Sequence, residues 1–382
     1  MNRISTTFHT RHSRRSLTRA ALMLPFVTGF ARAAQPVAAI DIEPFRTPLY
    51  RLLEITPARP GPGDDAFPVT SIAAIADPRW GNATLGQTSI LPEWHAHADQ
   101  AEAFFGFPPS EIASYLVQDD ANGWLAMIQG TFGFDRIEDI TAIWRDNGYI
   151  SSGDTREPFI PWVLAANSDT TAGRYPDLTG ISDGRFTALG FLDNQTLVIA
   201  SKPEFAVDTL RASHRQVELM LYEPGVTAIH RHEPAGLFEA VILPGNHFPV
   251  PAAMATPVAS DGVIDHLLAV MASKTWGHPF PDGSRSSEEP DRRSTWSIVV
   301  SVGRVGLDDA DSGERYASIV QEQFASAISR TVATSFPDIM SLDRVDVTFS
   351  TVVLTFTPLT DDPHDIIHFA LSNDLDFLIP VM

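Results

Sequence analysis

The sequence contains no cysteine. That excludes disulfides, thiolate metal sites, thiol nucleophiles and anchoring through a lipid-modified cysteine. Lysine is nearly absent. Only Lys202 and Lys274 occur, so arginine carries almost all the positive charge, a bias of composition rather than a functional pattern. Also missing are a G-x-S-x-G elbow, a P-loop and a dinucleotide fingerprint, the common signatures of acyl transfer and of phosphate or dinucleotide binding. Basic residues are scarce, 27 against 47 acidic. Six of the 27 (Arg3, Arg11, Arg14, Arg15, Arg19 and Arg32) fall in the first 33 residues, which hold no acid, leaving 21 basic against 47 acidic for the rest. Such a surface repels nucleic acid and anionic lipid, so neither is expected as a partner. Without disulfides the fold must rest on a packed core, and 382 residues of 44% hydrophobic composition are enough to build one.

What is present begins at the N-terminus. Arg14 and Arg15 sit in Ser13-Arg14-Arg15-Ser16-Leu17-Thr18-Arg19, just ahead of an apolar run over 20–31, and Ala31-Arg32-Ala33 places small residues at both key positions of a cleavage site. A charged region, an apolar region and an A-x-A-like site in that order predict an export signal peptide over 1–33, cleaved after Ala33. The paired arginines resemble the twin-arginine signal, which exports folded proteins. Leu17 and Thr18 depart from the Phe and Leu common in such signals, so the general secretory route is the alternative. A bilayer core needs about 20 apolar residues, and this shorter run contains Pro25 and Gly29. The expectation is an exported protein, extracellular or in the cell envelope, that meets the export machinery in passage and keeps no stable membrane anchor.

Residues 34–66 read as a lead-in linker, punctuated by Pro57, Pro60, Gly61, Pro62 and Gly63 ahead of a strand over 67–75. A helical stretch over 98–117 follows, interrupted near Pro108-Pro109. The apolar run 124–132 predicts a buried strand. Asp135, with Glu138 three residues on, then predicts a capped helix carrying Ile137, Ile140, Ile143 and Trp144 at helical spacing and closing at Gly148. Residues 186–192 and 196–200 form a hairpin around Asp193-Asn194-Gln195, and Ser201 with Glu204 predicts a capping box for the next helix. The C-terminal part repeats this order. A strand runs over 296–302, and a helix carries Tyr316, Ile319, Val320, Phe324, Ala327 and Ile328. Two strands follow whose apolar phase switches near Ser350, then a helix started by Pro363. Residues 283–294 are polar and read as a mobile loop.

The order β-α-β-β-α, met twice, predicts an α+β fold of two tandem ferredoxin-like modules with antiparallel sheets, the first over 67–250 and the second over 251–382. One larger α+β domain with chance similarity of its parts is the alternative. The passages Trp124-Leu-Ala-Met-Ile-Gln-Gly-Thr-Phe132, Phe191-Leu-Asp-Asn-Gln-Thr-Leu-Val-Ile-Ala-Ser-Lys-Pro-Glu204 and Asn373-Asp-Leu-Asp-Phe-Leu378 give the chain a resemblance to exported bacterial α+β proteins with a tandem body. The resemblance implies a fold and export but no activity, and the lipid-anchoring cysteine typical of that group is absent here.

Candidate chemistry rests on histidine. Six of ten histidines beyond the signal sit in close pairs: His95 with His97, His230 with His232, and His364 with His368. H-x-H on a strand, or an i, i+4 pair on a helix, turns both rings to one side and suits a metal. His95 and His97 follow Pro92 and Trp94 in a loop, where rings simply face water. His230-Arg231-His232-Glu233 superficially resembles the first cupin motif, but Glu233 is adjacent and Glu239 too distant, and Pro244-Gly245-Asn246-His247 echoes the second motif only loosely. In His364-Asp365-Ile366-Ile367-His368 an Asp stands where zinc proteases need Glu, too short to reach a metal-bound water. Asp361, Asp362 and Asp365 suit a helix N-terminus instead. The run Asp308-Asp309-Ala310-Asp311-Ser312-Gly313-Glu314 misses the glycine position of a calcium loop and suits helix capping. No motif requires a cofactor. The reading is an exported, non-catalytic protein that binds a ligand or partner in the groove between its modules. The alternative is an exported metal-dependent hydrolase drawing on the paired histidines.

Overall fold

The computed structural model describes residues 48–58, 68–74, 98–108, 111–120, 123–130, 132–151, 161–164, 186–232, 237–247, 264–272, 295–302, 312–359 and 366–379. The proposed signal with Arg14, Arg15, Ala31 and Ala33 lies outside these residues, as do His95, His97, His364, Asp308, Asp309, Asp311, Pro363 and the loop 283–294. The described elements all belong to one compact unit, Thr47–Met382.

In chain order the N-terminal half comprises α1 (Pro48–Glu54), β1 (Val69–Ala74), α2 (Ala98–Phe105), β2 (Ile112–Asp120), β3 (Gly123–Gly130), α3 (Phe134–Asp146), β4 (Tyr149–Ser151), β5 (Trp162–Leu164), β6 (Ala188–Phe191), β7 (Thr196–Ala200), α4 (Pro203–Ser213) and α5 (Pro224–His230). The C-terminal half comprises β8 (Leu237–Pro244), β9 (Ile264–Ala272), β10 (Thr295–Val302), α6 (Ser312–Phe324), α7 (Phe336–Ile339), β11 (Met340–Thr348), β12 (Thr351–Pro358) and α8 (Ile366–Leu371). All described strands join a single antiparallel sheet in the order β11-β12-β10-β9-β8-β1-β2-β3-β7-β6-β5-β4. The α+β class stands, but two separate sheets are replaced by one. The halves fuse because β1 pairs with β8, with Thr70 opposite Ile242 and Ala73 opposite Glu239. Strand β8, N-terminal to residue 250, is therefore the first strand of the second half. Both halves run outward from this seam with three strands, a later helix and a hairpin whose second strand docks on the third strand, the first half inserting β4 and β5 between its helix and hairpin.

Side chains alternate across a strand, so register assigns faces. Ile72 lies opposite both Leu116 and Ala240, and all three belong to a core cluster with Leu52 and Leu53 of α1, Phe205 of α4 and Val226 and Ile229 of α5. Ser71 lies opposite Val117 and Val241 on the other face. There Val117 joins a cluster with Phe104, Phe105, Ile140 and Trp144 from α2 and α3, while Val241 joins one with Tyr316, Val320, Phe336 and Phe369 from α6, α7 and α8.

Sequence signals held where chemistry was local. Helix α3 carries Ile140 and Trp144 fully buried, and Gly148 follows it at φ +89°. Its start is Gly133, not Asp135, with no side-chain cap. The Asp193 carboxylate accepts from the Gln195 and Thr196 N–H groups at 2.8 and 2.7 Å and closes the predicted hairpin. Three expectations fail. Within the lead-in, the described residues 48–58 are packed rather than free, since α1 buries Leu52 and Leu53 and Pro57 bridges to Leu219. The predicted helix 98–117 stops at Phe105 before Pro108-Pro109, and Ile112, Tyr115, Leu116 and Val117 form β2 instead, as β-branched and aromatic residues favour. The capping box at Ser201 does not form. Pro203 sets the helix start, and the Ser201 hydroxyl accepts from the Trp124 N–H at 2.8 Å, tying α4 to β3.

Candidate functional site

Sequence reasoning singled out three histidine pairs, of which His230, His232 and His368 lie in the described residues. Helix α5, a short segment begun by Pro224, ends at His230 and packs on the face holding Ile72. The His230 ring sits 5.4 Å from Tyr50 of α1, centroid to centroid, with the planes tilted by 53°. Burial holds its basicity below the ordinary histidine range, and the Arg231 charge adds to the effect. His232 follows in the turn after the helix. His368 is exposed on α8, whose buried residues Ile366, Ile367, Phe369 and Ala370 pack on the opposite face of the sheet. The sheet therefore separates His368 from the His230–His232 pair. Among the described residues, no three His, Asp or Glu side chains are grouped so as to hold a metal.

The histidine most embedded in the sheet is one that pair-spotting missed. His266 lies on β9, 6% exposed, with Nδ1 3.3 Å from the Asp265 carboxylate. Its ring is seated against Gly225 in the first turn of α5. A Cβ at residue 225 would stand 1.9 Å from His266 Nδ1 and 2.6 Å from an Asp265 oxygen. The available signal was a lone Asp-His inside the apolar strand Ile264–Ala272. Beside it on this face runs a buried polar strip. The Gln118 amide donates to the Pro57 carbonyl at 3.1 Å and approaches Met220 Sδ at 3.6 Å, while the Thr70 hydroxyl approaches the same sulfur at 3.8 Å. These contacts pin the lead-in and the 3₁₀ turn Met220–Tyr222 to the sheet centre.

The remaining displaced ionisations are structural. Tyr149 donates to the Phe186 carbonyl at 2.6 Å and Tyr316 to the Leu378 carbonyl at 2.8 Å, and burial pushes both phenols upward. Desolvation raises the Glu111 carboxyl despite its 2.7 Å ion pair with Arg136. Asp374 is the inverse case. Burial pushes it up, but the Ser329 hydroxyl and the Arg330 and Thr331 N–H groups donate to it at 2.6, 2.7 and 2.8 Å, and the balance falls below the ordinary carboxylate range.

No protein-family model matches the chain, and no curated protein does. The chain is similar to solved structures of TP0453. Crystal form I superposes with a TM-score of 0.41 at 9% identity, covering 86% of this chain and 97% of that one. Form III gives 0.39 at 10% identity over 80% and 94%, and form IV 0.39 at 11% over 80% and 93%. Likeness at this level carries nothing to the chemistry of any side chain.

Proposed function

We propose that this chain is an exported, non-catalytic protein that binds a ligand or partner outside the cytoplasm. The observation that supports it is the division of the described paired histidines between opposite faces of the sheet, His230 and His232 with α5 and His368 with α8. The metal-hydrolase reading needed those pairs to converge. The groups with displaced ionisation spend their hydrogen bonds on packing, as Tyr149, Tyr316 and Asp374 do. The excess of acidic over basic residues favours solubility and a cationic partner.

Export would proceed by the twin-arginine route, with cleavage after Ala33. The two halves would be diverged copies of one ferredoxin-like unit. The matching orders β2-β3-β7-β6 and β9-β10-β12-β11 support this. Half one departs from that unit in α4, which packs on the face opposite α3 while α6 and α8 share a face.

Elemental analysis of protein purified without chelator tests the central reading. No stoichiometric transition metal is expected, and one bound per chain would overturn it. N-terminal sequencing of the exported form is expected to begin at Ala34. Replacing both Arg14 and Arg15 with Lys should hold the precursor in the cytoplasm, and unimpaired export of that variant would point to the general secretory route.

A further inference from the structure

The hairpin β11–β12 ends the sheet, and among the described residues β11 has a strand neighbour on one side only. Its loop is two residues, Phe349-Ser350, because Thr348 lies opposite Thr351. Phe349 adopts φ +53°, at the position where hairpins of this length favour Gly, and its side chain is 87% exposed. A bulky residue held in the left-handed region is strained, and this one is largely exposed. An exposed aromatic at a strained loop position is available to contact something outside the fold.

The adjacent edge specifies what. Residues flanking a two-residue loop form a hydrogen-bonded pair and the pattern alternates from there, so Thr348, Asp346 and Arg344 bond inward to β12. Val345 and Val347 turn their N–H and C=O groups to the open edge. Arg344 and Asp346 flank Val345 on one face and already form an ion pair at 2.7 Å. Edges are commonly guarded by charged side chains, lysine above all. Opposite signs two residues apart are instead self-complementary under a two-fold axis. Antiparallel pairing centred on Val345 sets Arg344 of each copy across from Asp346 of the other. Centring on Asp346 or Arg344 sets like charges face to face. Only the Val345 register is favoured by charge, and it brings Phe349 alongside Ser341 of the second copy, beside the bulge between Leu342 and Arg344.

We propose that β11 is a homodimerisation edge, that two copies of this chain pair antiparallel about Val345 into one continuous sheet, and that Phe349 is the apolar contact bordering the seam. This is independent of the ligand or partner bound elsewhere.

Sedimentation velocity of the purified full chain is expected to give a concentration-dependent dimer. Arg344→Asp, which sets Asp opposite Asp, should raise the dissociation constant at least about tenfold, and the swap Arg344→Asp with Asp346→Arg should restore it. Melting curves check that each variant is folded. Phe349→Gly should weaken the dimer while leaving the melting temperature equal or higher. Because the chain has no native cysteine, Val345→Cys offers a single thiol. Its Cα would face its mate at about 5.5 Å, within disulfide range, so oxidation should yield a covalent dimer while Thr348→Cys stays monomeric. A monomer throughout the micromolar range overturns the proposal. So does a dimer indifferent to Arg344→Asp or not rescued by the swap. Flotation of the monomer with zwitterionic vesicles, abolished by Phe349→Gly, would also count against it and assign the ring to lipid.

Discussion

Asp374 offers the sharpest test of how the C-terminal half is held. This residue is 1% exposed, and its carboxylate gathers three donors at 2.8 Å or less: the Ser329 hydroxyl and the N–H groups of Arg330 and Thr331. Arg330 adds its guanidinium, which also donates to the Asn373 carbonyl and pairs with Asp376 at 3.0 Å. The carboxylate thereby ties the loop after α6 to the segment after α8. Asp374→Ala leaves those donors without an acceptor. Each hydrogen bond to a charged group contributes about 1.5–3 kcal/mol, but the three are coupled and water reaches the part-buried N–H groups, so the expected loss is about 3–5 kcal/mol rather than the sum. At about 2.1 cal/mol/K per residue over the unit Thr47–Met382, that corresponds to a fall of roughly 4–7 °C in melting temperature. Asp374→Asn keeps the shape and one acceptor and should lose about half as much. The sign of the pH dependence follows from a folded-state acidity below the ordinary value. The stabilisation is fully present above the unfolded pKa of about 3.9 and disappears as pH falls through the lower folded value. Urea melts of wild type and Asp374→Asn should therefore differ at pH 7 and converge toward pH 3. A loss under about 1 kcal/mol for the Ala variant, or a gap unchanged across that range, would refute the reasoning.

Gly225→Ala places a methyl 1.9 Å from His266 Nδ1, and should cost about 1–3 kcal/mol in thermal denaturation; His266→Ala should relieve part of that loss, measured as coupling in a double-mutant cycle. His230 binds protons less readily folded than unfolded, so it favours folding above its unfolded pKa and opposes it as pH drops below about 6.5. His230→Phe should accordingly flatten the fall in stability between pH 7 and pH 5, read from urea midpoints. Trp144→Ala removes a fully buried indole that donates to the Phe105 carbonyl at 3.0 Å and stacks on Phe191, and should cost about 3–5 kcal/mol by calorimetry.

The candidate site was less legible than the fold. Pairing histidines along the chain tests closeness in sequence, whereas a ligand set is a statement about faces. His230 and His368 belong to helices that the sheet holds apart, and no spacing rule encodes that. His266 gave little local signal because a single Asp-His step inside an apolar strand matches no ligand or catalytic spacing. Its neighbour Gly225 lies about 40 residues away and meets it only when α5 folds down on β9. The Ser201 hydroxyl illustrates the same limit. Capping statistics send it to its own helix, and the Trp124 N–H, distant in sequence, takes it instead.

By itself the sequence determined the segments whose causes are local: the apolar run of β3, the helical stripe of Ile140 and Trp144, the Asp193 turn, and the stop at Gly148. The tertiary structure alone decided that β1 and β8 meet, with Ile72 opposite Ala240 about 170 residues along the chain. It also decided that α4 covers one face while α3 covers the other. Strands such as β3 and β7, apolar at nearly every position, are buried on both sides and carry no alternation to assign a face or a neighbour. Those choices fall to pairing and packing between distant segments.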